Sequence, residues 1–80
     1  MFELHPKKIE SIKNHADFIE FIKALQVDFS SHPEEWNNAT IDSFFGAIVA
    51  WLEDTSQTNE MNQTNWAIIA KIFYMGKLYE

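Results

Sequence analysis

The side chains in this chain that can do chemistry are few and scattered. Three histidines, His5, His15 and His32, are the only imidazoles, and there is no cysteine. No two of them show the helical spacing of a zinc motif, so neither a metal centre nor a histidine base is expected. Carboxylates occur as neighbours at Glu34-Glu35 and Glu53-Asp54. Adjacency in sequence does not aim two carboxyl groups at one bond, and general acid–base catalysis needs groups converging in a pocket with shifted pKa values. No glycine-rich phosphate loop is present, and no serine lies in a nucleophile-elbow context. The expectation is a protein that is not an enzyme, takes no cofactor and works by binding.

Charge narrows what it binds. Twelve Asp/Glu stand against six lysines, with no arginine, for a net charge of −6. Phosphate backbones demand a basic footprint, and arginine is the side chain that grips phosphate and guanine in a bidentate fork. Nucleic acid and anionic membrane surfaces are therefore excluded as expected partners. A basic protein is favoured electrostatically, with faster encounter as the benefit. Residues Met1–Lys8 lack the apolar stretch of a signal peptide, and no run approaches the ~20 apolar residues of a membrane span. A soluble cytoplasmic protein is expected.

The chain of 80 residues is expected to be one domain, 1–80. At this size only ~60% of the unfolded surface is buried on folding, so the core must be dense. Seven Phe, three Trp and two Tyr supply the bulk. The periodicity predicts an all-α fold, a compact bundle of three main helices over approximately 15–30, 39–54 and 63–79, with a short N-terminal cover. Asn14 caps the first, with Asp17 three residues on. Phe18, Ile22, Leu25 and Phe29 form its apolar stripe. Pro33 and the residues before it end that helix.

Asn38 or Thr40 opens the second helix, where Ile41, Phe44, Phe45, Ile48 and Leu52 share a stripe. A polar loop follows from Asp54. The third helix starts between Asn62 and Thr64 and is apolar on two sides, with Trp66, Ile69, Ala70 and Phe73 opposite Ile68, Ile72, Met75 and Tyr79. Such a helix is sandwiched or uses one side for a partner. Trp66, Ile69, Ile72 and Phe73 are therefore expected among the least accessible residues. Ile9 and Ile12 fit either a helical turn or an extended cover.

The acidic positions form candidate surfaces. On the first helix Asp17, Glu20, Ala24 and Asp28 fall on one stripe, about 100° from the apolar one. Glu34, Glu35 and Asp42 follow in the chain. The expected partner-binding residues are thus Asp17, Glu20, Asp28, Glu34, Glu35 and Asp42. A solvated face balancing an apolar one is the plainer alternative. Trp36 is expected to plug the connection onto the core rather than anchor an interface.

Two stretches carry a resemblance. One is Pro33-Glu34-Glu35-Trp36 with Asn38, Thr40, Phe44, Ala47, Trp51 and Glu53-Asp54. The other is Thr64, Trp66, Ala70, Lys71 and Tyr79-Glu80. Together they resemble a family of small bacterial domains of unknown function, with a Trp-x-Asn element and a Tyr-Glu end, over residues 14 to 80. Phe45 and Gly46 depart from that pattern, where Leu and a polar residue are expected. The resemblance implies a small helical bacterial domain and no established reaction. In size, acidity and helical content the chain is also similar to antibacterial immunity proteins, including partners of contact-dependent growth inhibition toxins. The expected function is an immunity protein that neutralises a cognate toxin, a nuclease being the expected one, by covering its basic cleft. The alternative is a small interaction module or homo-oligomeric structural domain without a toxin partner. Self-association stays open.

Overall fold

Local capping sets where the three main helices of the computed structural model begin. Residues 6–55 and 64–79 are described. His5, Asn62 and most of the polar loop after Asp54 lie outside them. The order is α1 (Pro6–Ile9), α2 (His15–Ser31), a 3-10 turn (Pro33–Glu35), α3 (Ile41–Asp54) and α4 (Trp66–Leu78). The fold is all-α, with three main helices and no strand among the described residues. The short α1 answers the alternative left open for the N-terminal segment: Ile9 closes a helical turn.

Asn14 caps α2 through its side-chain oxygen, which accepts from the Asp17 N–H at 2.8 Å. Asp17 reaches back and accepts from the Lys13 N–H at 3.2 Å. The first bond satisfies a donor that the helix start leaves open, and the second fixes the chain one residue before the cap. At the other end the His32 N–H donates to the Asp28 carbonyl at 2.8 Å, and Pro33 opens the 3-10 turn.

Thr40, not Asn38, caps α3. The Ser43 N–H donates to Thr40 Oγ1 at 3.1 Å, and the Thr40 N–H donates to Ser43 Oγ at 3.2 Å. Serine here takes the place that Glu or Gln holds in the usual capping box. Asn38 is half-buried in the preceding turn. Asn65 caps α4 by accepting from the Ile68 N–H at 3.2 Å, so the helix starts a few residues later than its periodicity suggests. Hydropathy could not separate Asn62, Thr64 and Asn65 as caps, because all three side chains carry the required acceptor.

The chain divides into two compact units, Met1–Phe45 and Gly46–Glu80. In the first, Ala24 is the one buried residue among those described, 8% exposed. Around it on α2, Asp17, Phe18, Phe21, Leu25 and Asp28 are half-buried. By the helical period this covered face is turned roughly 70° from the expected apolar stripe, toward the acidic one. Ile22 and Phe29 fall on its outer margin and are exposed.

In the second unit α4 departs from expectation. Ile69 is half-buried, but Trp66, Ile72 and Phe73 are 43%, 42% and 44% exposed. Two-sided apolarity predicts that a helix wants cover on both sides; it does not supply the cover.

Candidate functional site

The connection between α2 and α3 is built around Trp36. Its indole N–H donates to Asp28 Oδ2 at 2.7 Å, linking the turn back to the last turn of α2. The ring meets Phe29 edge-on at 5.2 Å between centroids and stacks on Phe44 at 6.0 Å. Trp36 is half-buried, consistent with a plug, and it ties both helix ends to the turn. The Trp36 N–H donates to the Pro33 carbonyl at 3.1 Å, and the Glu35 N–H to the His32 carbonyl at 3.1 Å. The backbone carrying Glu34 and Glu35 is therefore held at both ends.

The six acidic candidates all lie in the first unit, in three different situations. Asp17 and Asp28 are half-buried and already used, the first in the α2 cap and the second by Trp36. Glu20 is exposed and pairs with Lys23 one helical turn on, at 3.8 Å. An exposed ion pair of that spacing stabilises a helix by only ~0.2–0.5 kcal/mol. Glu34 and Glu35 are exposed on the 3-10 turn, and Asp42 is exposed in the first turn of α3. Among the described residues none of these last three makes an ion pair. Their charge is available to a partner.

What sequence reasoning missed is the double role of Asp28. It belongs to the acidic stripe by period but acts as acceptor for an indole eight residues away. A tryptophan shortly after a helix end, with an Asp in the last turn, was the available signal. The arrangement can hold an acidic turn rigid, and it can present negative charge with little reorganisation. It converges no acid, base or nucleophile on one point.

Among the described residues no group of His, Cys, Asp and Glu is placed to hold a metal ion. None of their helices is long and apolar enough to cross a membrane. No curated protein and no solved structure matches the chain. A family model does, over residues 14–80, from the α2 cap Asn14 through the Trp36 turn to the end of the chain. The chain belongs to this family, described as a family of unknown function (DUF7660).

Proposed function

We propose that this protein is a non-enzymatic binding domain that docks a basic protein through its acidic turn, in the manner of an immunity protein neutralising a toxin. The toxin would be a nuclease, whose substrate cleft must be basic to hold phosphate. An acidic inhibitor covering that cleft gains from electrostatic steering and excludes nucleic acid by charge. It would act in the cytoplasm of the cell it protects.

The observation that carries this reading is the placement of Glu34 and Glu35 on a turn fixed by the Trp36–Asp28 hydrogen bond, with Asp42 exposed just beyond. Preorganised charge lowers the ordering cost of binding. Asp17, Glu20 and Asp28 contribute to the negative field, while Glu34, Glu35 and Asp42 are the residues that meet the partner. The test is co-expression with the product of the neighbouring gene. Protection by the wild-type chain, lost on reversing Glu34, Glu35 and Asp42 to Lys, supports the proposal. A neighbouring metabolic operon and no protection would overturn it.

The second reading, an interaction module or homo-oligomeric domain without a toxin, is favoured by a different observation: the exposed apolar surface of α4.

A further inference from the structure

We infer, resting on the acidic-turn reading above, that the aromatic rings beside that turn seat an arginine of the basic partner. Phe29 from the end of α2, Trp36 from the turn, and Phe44 and Phe45 from the start of α3 form a row. Successive ring centroids lie 5.2, 6.0 and 6.1 Å apart. The inner rings, Trp36 and Phe44, are half-buried, while the end rings, Phe29 and Phe45, are 37% and 44% exposed. Each end has acid close by in the chain. Asp28 precedes Phe29, and its carboxylate accepts from the Trp36 indole N–H at 2.7 Å. Asp42 stands one helical turn before Phe45 on α3 and is exposed with it.

Charge and composition select the occupant. No Lys or Arg occurs between Lys23 and Lys71, whereas Asp28, Glu34, Glu35 and Asp42 flank the rings in sequence. The face is therefore complementary to a cation and repels phosphate. An aromatic face attracts a cation through its quadrupole, and donation from the indole to Asp28 enriches the Trp36 ring further. Arginine suits both parts of this surface: its planar guanidinium stacks on a ring while its fork of donors meets a carboxylate. A lysine ammonium is a strongly hydrated point charge and stacks less well. This chain has no arginine, so a second copy of it cannot supply the group. The occupant is a side chain of a different, basic protein.

Titrating the full chain with oligo-arginine and oligo-lysine peptides of equal length tests the inference. The Trp36 indole N–H resonance reports binding by nuclear magnetic resonance, its assignment fixed by its loss in Trp36→Phe. The wild type should bind oligo-arginine about two- to fivefold tighter than oligo-lysine. Phe45→Leu keeps apolar bulk and every charge, and should bring oligo-arginine down to the affinity the wild type shows for oligo-lysine. Should Phe45→Leu lose helicity by circular dichroism, Phe29→Leu at the other end of the row decides. Equal affinity of the wild type for both peptides overturns the ring seat, as does a leucine variant that weakens both peptides alike. So does a preference that survives both leucine variants. Reversing Glu34, Glu35 and Asp42 to Lys separates the two readings. Equal wild-type affinities that this reversal abolishes overturn the ring seat and leave the acidic turn standing. Binding of neither peptide by the wild type overturns the ring seat as well.

Discussion

Trp36 and Asp28 are joined by a 2.7 Å hydrogen bond from indole N–H to carboxylate, and through it the acidic turn is tied to α2. Trp36→Phe keeps most of the ring and removes the donor. It should lower stability by about 1 kcal/mol, the low end for a bond to a charged group because the pair is only half-buried. Asp28→Ala should cost a similar amount. In a double-mutant cycle followed by urea unfolding, the two losses should not add. Additive losses would mean that the bond contributes nothing in solution.

The α3 cap separates two asparagine and threonine candidates. Thr40→Ala removes the acceptor for the Ser43 N–H and should cost about 1 kcal/mol. Asn38→Ala should stay within about 0.5 kcal/mol, since Asn38 does not cap the helix. Urea midpoints of the two variants check the order, and a larger loss at Asn38 would reverse the assignment.

Gly46 lies in the interior of α3, and a Cβ built there meets nothing within 4 Å. Gly46→Ala should therefore stabilise the protein by roughly 0.5–1 kcal/mol, by restricting the unfolded chain and favouring the helix. A thermal melt reads the gain. A fall in melting temperature would show that something not within reach of the backbone here packs against this position.

The covered face of α2 can be tested by exchanging large and small residues. Ala24→Leu places extra methylenes at the most buried described position and should cost about 1–3 kcal/mol. Ile22→Ala, on the exposed margin, should cost about 1 kcal/mol or less. The expected apolar stripe of Phe18, Ile22, Leu25 and Phe29 predicts the opposite order.

These tests follow the line between what was legible and what was not. The helices and the Asn14–Asp17 cap were readable because each depends on residues within a few positions of one another, and Trp36 was readable as a plug because a large apolar ring stood in a short polar connection. The rotation of the covered face was not. Hydropathy counts Asp17 and Asp28 as outward-facing, whereas a cap and an indole N–H let both sit half-buried at little cost. Ala24 gave no signal either, since a small residue marks close approach only once its neighbours are known. On α4 the sequence showed apolarity on both sides, which states a demand for cover without naming its source. Of the acidic candidates, the exposure of Glu34, Glu35 and Asp42 was legible from charge alone. The employment of Asp28 needed the turn geometry.

The most direct measurement of the central claim is the protection of growing cells against the toxic product of the adjacent gene, compared between the wild type and the Glu34→Lys, Glu35→Lys, Asp42→Lys chain. The three positions are exposed, so the variant should keep its helix content, with a urea midpoint lowered only slightly by a lysine in the first turn of α3. The account predicts full protection by the wild type, none by the variant, and association that is slowed sharply for the variant at low salt. Equal protection by both chains, with association unchanged at low salt, would show the acidic turn to be a solvated surface and would contradict the account.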